Sequence, residues 1–440
     1  MRKYARYKDS GISWIGDVPE HWDVVPFRSE FSLGKGLPIT KDNLINDEIN
    51  GVPVVSYGQI HSKENEGTVL KRNLLRFVES SWLDSNPQSL LRKNDIVFAD
   101  TSEDLDGCGN CVLNTETRKI FAGYHTIIAF TNKEENGPFF AYLFQSDIWR
   151  SQIRTRVNGV KVYSVTRAHL KRCKLLLPPL SEQKAIAEYL DKKTAQINEL
   201  VSAKQKQIEL LKEYKQSVIA NAVTGKLNKN SRMKDSGISW IGKIPENWNV
   251  YYLFQKVREH FISNKEIHHQ NLLSLSYGRI IQKDINKTDG LLPESFDTYQ
   301  IVENGNVVLR LTDLQNDHKS LRVGYATQEG IITSAYECLE VFDKSLYSKF
   351  FYYQLHSFDV KKMLYGMGGG LRQNISYNEL RKIRIAYPPL SEQKEIVAFI
   401  EKKVSSIDSQ IASIENQIAN LNEYKQSLIS DVVTGKVKVC

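Results

Sequence analysis

The chain writes one long unit twice, and this repeat constrains its fold more than any other feature. Lys8 to Trp22 reads KDSGISWIGDVPEHW and Lys234 to Trp248 reads KDSGISWIGKIPENW, with twelve of fifteen positions identical, two Trp among them. PPLSEQK runs from Pro178 to Lys184 and again from Pro388 to Lys394. EYKQSVIANAVTGK ends at Lys226, and EYKQSLISDVVTGK ends at Lys436. The first pair is offset by 226 residues and the other two by 210, so the second copy is 16 residues shorter, all of it outside the motifs near its end. Between the motifs, roughly 23–177 and 249–387, only fragments correspond, such as Val55 to Ile60 (VSYGQI) with Leu275 to Ile280 (LSYGRI). Such a period is too long for a solenoid and implies a tandem duplication of a large unit, with one frame and two different surfaces.

Residues 182–222 hold neither Gly nor Pro and are rich in strong helix formers. Pro178-Pro179 block helix upstream, Ser181 is placed to cap the start, and Gly225 is placed to stop the end. Ser391 and Gly435 repeat the pattern. A heptad frame fits both helices. Its a and d positions include Leu190, Ile197, Val201, Ile208 and Leu211 in the first, and Ile400, Ile407, Ile411, Ile414 and Leu421 in the second. Eight of eleven such positions are apolar in the first helix and ten of eleven in the second. Neither seam is stable in water, and each suits the other. The short link between the copies then makes the pair antiparallel, with a module at each end and a pseudo-twofold axis between them. About 41 residues at roughly 1.5 Å each span about 60 Å, or at most about 18 base pairs.

The expected fold is therefore α+β: two mixed α/β modules separated by an antiparallel two-helix coiled coil. Its parts are 1–177, first module; 178–226, first long helix; 227–387, linker and second module; and 388–440, second long helix and tail. Hydrophobic residues make up 41% and charged residues 25% of the 440, as in ordinary globular proteins. No apolar run is long enough to cross a bilayer, the N-terminus has no apolar signal region, and the five scattered Cys suit a reducing cytoplasm.

A net charge of +8 is compatible with nucleic-acid binding without requiring it. The sharper signal is local. Ser151 to Lys174 carries seven Lys or Arg and no acid, and its counterpart, Lys361 to Arg384, carries six and one Glu. Each has a Gly-bearing turn, Asn158-Gly159 or Gly368-Gly369-Gly370. Arg and Lys neutralise phosphates or read guanine, Asn and Gln suit adenine, and Gly lets backbone approach a ligand. The candidate DNA contacts here are Arg154, Arg156, Asn158, Lys161 and Tyr163 in the first copy, and Arg372, Gln373 and Asn374 in the second. Gln59, Arg279, Thr101 and Arg310, at the ends of apolar strands, are second choices. A solvated basic face beside a hairpin turn is the alternative. No phosphate-binding loop, dinucleotide fingerprint or amino-methylating motif appears. Cys108-Gly-Asn-Cys111 lacks two further ligands at zinc spacing, and no catalytic constellation can be picked out.

The repeated KDSGISWIG-x-x-PE-x-W opening, the PPLSEQK junction, the long helix and the VTGK ending resemble the specificity subunit of type I restriction–modification systems, over the whole chain. The resemblance implies a subunit that is not an enzyme. Its two target-recognition domains would each read half of a split double-stranded DNA site, with the helices as ruler. Two methyltransferase subunits would dock on the helices, and restriction subunits would join them. S-adenosylmethionine, ATP and Mg²⁺ would then be bound by the partners and no cofactor by this chain. Outward helix positions and the segments Gly11 to Trp14 and Gly237 to Trp240 are candidate partner contacts. A coiled-coil adaptor without DNA specificity, and a nuclease or methyltransferase with an unrecognised site, are the competing readings.

Overall fold

The computed structural model describes residues 2–65, 67–133, 136–159, 161–228, 230–286, 295–317, 320–367 and 374–439. They form two compact units, Met1–Lys204 with Asn416–Cys440, and Gln205–Glu415. Each unit joins a globular module to a stretch of both long helices.

In the first unit the repeated opening folds into a small hairpin, Tyr7–Asp9 against Asp17–Pro19. Its identical residues each close part of the loop. Asp9 Oδ1 accepts from Gly11 N at 2.8 Å, Ser10 Oγ accepts from Ile12 N at 3.2 Å, and Ile12 and Ile15 are buried. The second unit repeats this with Asp235 on Gly237 N at 2.9 Å and Ser236 on Ile238 N at 3.0 Å. Asp23–Pro26 then pairs antiparallel with Lys174–Leu177, closing the module just before the long helix.

The module core is a four-stranded antiparallel sheet in the order Phe31–Lys35, Thr126–Thr131, Ile96–Ala99, Cys111–Leu113. Phe140, Phe144 and Trp149, from the helices Gly137–Gln145 and Asp147–Arg154, pack with Phe27, Phe31 and Phe98. The second module has the same strand order, Val257–Glu259, Glu337–Val341, Val307–Leu309, Val323–Tyr325. Asn249–Tyr252 pairs with Arg384–Tyr387 to close it. One frame thus survives a sequence that matches only in fragments.

The paired fragments themselves fold differently. Tyr57–Ile60 is a helical turn, whereas Tyr277-Gly278 is the bend of a hairpin, Leu273–Ser276 against Arg279–Gln282. Gln59 Oε1 accepts from Ser56 N at 2.9 Å and so completes a capping box. Arg279 stands at the equivalent place and has no acceptor to offer. Tyr277 and Gly278 instead take φ of 46° and 77°, the left-handed pair that a two-residue hairpin turn needs.

The long helices are Leu180–Val223 and Leu390–Val433. Ser181 and Ser391 lie inside them rather than capping them. Gln183 N already bonds to Pro179 O at 3.0 Å, so the helix begins at Leu180, two residues earlier than the Ser pattern suggested. Gln183 and Gln393 Nε2 reach back to Pro178 O and Pro388 O, both at 2.8 Å. In the first unit Asn198 meets Lys425 at 2.9 Å and Lys204 meets Gln417 at 2.5 Å, so the helices run antiparallel. In the second unit Lys215 Nζ bonds Asp408 Oδ1 at 2.7 Å. Leu190, Ile197 and Val201, and in the second unit Ile208, Ile400, Ile407, Ile411 and Ile414, are buried, while Leu211 and Leu421 are half-buried.

All three repeated motifs meet at one joint in each unit. In the first, the fully buried Trp22 donates its Nε1–H to Glu182 Oε2 at 3.0 Å, joining the opening motif to PPLSEQK. Tyr4 Oη donates to the same oxygen at 3.0 Å, and His21 Nε2 lies 2.6 Å from Oε1. Burial raises the Glu182 pKa, but these hydrogen bonds outweigh it and hold the carboxylate below its ordinary range. Gly435, from VTGK, has φ +74° and lies against Pro19 and Trp22. The second unit repeats the joint. Trp248 donates to Glu392 Oε1 at 3.0 Å, and Gly225, φ +75°, lies against Pro245 and Trp248.

Candidate nucleic-acid interface

In the first unit the chain leaves the central strand Ile96–Ala99 and forms Thr101–Ser102, which pairs with Tyr163–Ser164. This pairing lays the basic segment beside the loop that follows the central strand, so two separately chosen regions become neighbours. The helical turn Tyr57–Ile60 joins them through His61 Nε2, 2.8 Å from Thr101 O. His125 Nδ1 lies 3.2 Å from Asp100 Oδ1 and 3.3 Å from Thr101 Oγ1, and its ring meets Tyr57 edge-on at 5.3 Å. His61, Asp100 and His125 were missed by sequence reasoning. Their spacing along the chain carries no signal, and only the sheet brings them together.

The loop Glu103 to Asn110 is held from beneath by Arg150. Its Nη2 donates to Asp106 O at 2.8 Å and to Asn110 Oδ1, and its Nε to Cys108 O at 3.3 Å. Burial lowers the Arg150 pKa. Arg154 shares this work, donating to Asp106 O at 2.9 Å and pairing with Asp147 at 3.0 Å. Arg156 folds back onto Gln152 O. Gln59 caps its own helical turn, and Thr101 Oγ1 donates to Asp100 Oδ1 at 2.7 Å. Asn158 and Lys161 are exposed, and Tyr163 is half-buried.

The second unit holds the equivalent loop by a guanidinium from a different place. Arg322 is fully buried. Its Nη1 donates to Arg310 O at 3.2 Å and Thr312 O at 2.8 Å, and its Nη2 to Asp313 O at 3.2 Å and Asp317 O at 2.7 Å. Its Nε donates to Tyr365 Oη at 3.2 Å, and its backbone N–H to Asp359 Oδ2 at 2.6 Å. The Arg310 side chain lies 3.7 Å from Asp317. Asn374 Oδ1 accepts from Asp313 N at 2.9 Å, so Asn374 and this loop are brought together. Arg372, Gln373 and Gly368 to Gly370 lie outside the described residues.

Arg279 lines a groove of about 690 Å³ with Lys215, Gln216, Asp408 and Glu415 of the helix pair. The first unit has a groove of about 570 Å³ lined by His61, Arg150, Arg154, Lys425 and Gln426. Lys215-Gln216 and Lys425-Gln426 are the same positions of the repeated EYKQ segment. Cys108 and Cys111 are buried free thiols, and burial pushes Cys111 up to about 12. Among the described residues, no group of three or more His, Cys, Asp or Glu is placed to hold a metal ion, and no helix is long and apolar enough to cross a membrane.

Comparison with known proteins gives this architecture a family. Residues 19–210 and 294–422 match the type I restriction modification DNA specificity domain. The putative type I restriction enzyme MjaX specificity subunit of Methanocaldococcus jannaschii is 24% identical, over 97% of this chain and 96% of that protein. The EcoKI specificity subunit of Escherichia coli K12 is 25% identical over 49% of this chain and 46% of its own length. A chain in a structure described as the basis of complex assembly and conformational transition of the type I R-M system covers 96% of this chain and 99% of its own, at 15% identity and a TM-score of 0.67. The HsdS subunit of Thermoanaerobacter tengcongensis covers 96% and 98%, at 16% identity and a TM-score of 0.52. Specificity subunits are the non-catalytic components of these systems. The chain therefore belongs to the type I restriction–modification DNA specificity family.

Proposed function

We propose that the chain selects a split double-stranded DNA target, with each module reading one half and the paired helices setting the unread spacer. The observation that carries this reading is one frame with two different loops. Both modules keep the same strand order and the same Trp–Glu–Gly joint. The loops after the central strand differ, one running Glu103-Asp104-Leu105-Asp106 and the other Arg310 to Asp317. Loops on a rigid frame are where recognition residues concentrate, and differing loops suit an asymmetric target. Asn158, Lys161 and Tyr163 are the candidate contacts of the first module, and Arg310 and Asn374 those of the second.

Two methyltransferase subunits would dock on this scaffold and bring the S-adenosylmethionine chemistry, with ATP-dependent restriction subunits joining them. Tyr214 and Tyr424, the same position of EYKQ in the two units, are 54% and 47% exposed. Paired exposed aromatics suit two equal partners. The test is to map methylated adenines in random DNA exposed to the assembled methyltransferase. The expected result is one asymmetric motif in two parts with a fixed gap. A contiguous motif, or methylation without sequence preference, overturns the reading.

A further inference from the structure

The two joints share the Trp–Glu–Gly contact, but the second lacks the two tyrosines that bond within the first. In the first unit Tyr4 is buried against the joint, its ring edge-on to Trp22 with centroids 5.9 Å apart, 5.5 Å from His21 and under Lys438 Nζ at 5.7 Å. Its hydroxyl donates to Glu182 at 3.0 Å. The offset of 226 that aligns the opening motifs places Asn230 where Tyr4 stands and Met233 where Tyr7 stands. Asn230 is exposed.

The second unit has a pocket of about 550 Å³ at this place, lined by Gly225, Leu227, Asn228, Trp248, Glu392 and Phe399 among others. Its Trp248, Glu392 and Asn247 correspond to the Trp22, Glu182 and His21 that hold Tyr4. Glu392 receives hydrogen bonds from Trp248 at 3.0 Å and Asn247 at 2.9 Å, as Glu182 does from Trp22 and His21, but among the described residues it has no counterpart of the tyrosine bond. Leu227 and Phe399 are exposed at the rim, 42% and 36%. The mouth is acidic, with Glu392 and Glu395, whereas the segment seated in the first unit is basic, Arg2-Lys3-Tyr4-Ala5-Arg6.

We infer that this pocket is a socket for a tyrosine on a basic segment of a docking methyltransferase subunit. Its accessible walls fix the chemistry: a ring against Leu227 and Phe399, a hydroxyl to the half-buried Glu392, and flanking cations near Glu395, while Trp248 stays fully buried behind Glu392. A second copy of this chain is a poor donor, because lending its Tyr4 empties one socket to fill another. The choice of donor rests on the reading that methyltransferase subunits dock here, whereas the socket itself does not.

The test uses the full chain. The probe is a synthetic peptide of residues 2–8, RKYARYK, titrated against Trp fluorescence. It should bind saturably, and a peptide with Phe at both tyrosines should bind about tenfold more weakly. Asn230→Tyr supplies the ring from within the chain. It should raise the thermal midpoint by about 2 °C or more, abolish peptide binding, and weaken assembly with methyltransferase subunits at least about tenfold relative to Asn230→Ala. Equal peptide binding by Asn230→Tyr and the unaltered chain overturns the socket. Unweakened assembly, or self-association that depends on Tyr4, overturns the donor. Failure of the unaltered chain to assemble at all would instead refute the docking reading.

Discussion

Gly435 shows how much a single atom controls at the joint. A Cβ there would fall inside the van der Waals surface of Pro19, on backbone at φ +74°. Gly435→Ala should therefore cost about 2 kcal/mol or more in urea unfolding of the first unit, and an unchanged midpoint would remove Gly435 from the joint. Arg322 is the more demanding residue, since truncation leaves several buried carbonyls without a donor. Arg322→Leu should cost at least about 3 kcal/mol. If its loop reads DNA, Arg322→Lys, which lacks the planar fork, should blur discrimination at one half-site and spare the other. His356 sets an acid limit. Burial, aided by Lys215, lowers its pKa from 6.5 to about 4, and Gln216 Oε1 lies 3.1 Å from its Nε2. The unfolded chain takes up this proton near pH 6.5 and the folded chain only near 4. The contribution to stability is complete above about 6.5 and is lost as pH falls through that window, about 3 kcal/mol in all. His356→Gln should lessen the acid sensitivity of the second unit between pH 7 and 4.5, and an unaltered pH profile would show that His356 is protonated when folded.

The elements differ in how openly the sequence declares them. The helices were legible because Leu190, Ile197, Ile407 and Ile414 repeat at heptad spacing, and a continuous seam has few other uses. The joint motifs were legible as repeats, but not as one contact: nothing in KDSGISWIG or VTGK says that Trp22 will lie against Gly435. The loop clamps were not legible. Arg150 lies on a helix and Arg322 next to a strand, so alignment of the copies cannot pair them. Arg154 was chosen for its charge, yet the fold turns it onto Asp106 and Asp147, a choice of tertiary contact that local composition does not encode. The helix pair also contains its own control. Lys215 faces Asp408, while Lys425, one repeat away, faces Asn198 at the matching position. Asp408 is 41% exposed, so the charge adds little beyond the hydrogen bond. Asp408→Asn should cost less than about 1 kcal/mol in thermal unfolding; a larger loss would mean that the pair is dry enough for its charge to matter.

At the scale of the whole molecule, a ruler makes a geometric prediction. Adding one heptad to each helix should widen the unread gap by up to about 10 Å, or roughly 3 base pairs, leaving both half-sites unchanged. Methylation mapping reads this directly, and an unchanged gap would sink the ruler. The joint also imposes an order of events during synthesis. Tyr7 donates to the Gly435 carbonyl at 3.1 Å across 428 positions of chain. The module that leaves the ribosome first therefore waits longest for its final contact, while the second unit receives Gly225 before its own Trp248 has been made. Contacts that distant are slow to form, and their partners stay exposed in the interval. The earliest-made part of the chain is thus the part most exposed to chaperones, proteases and wrong neighbours during translation.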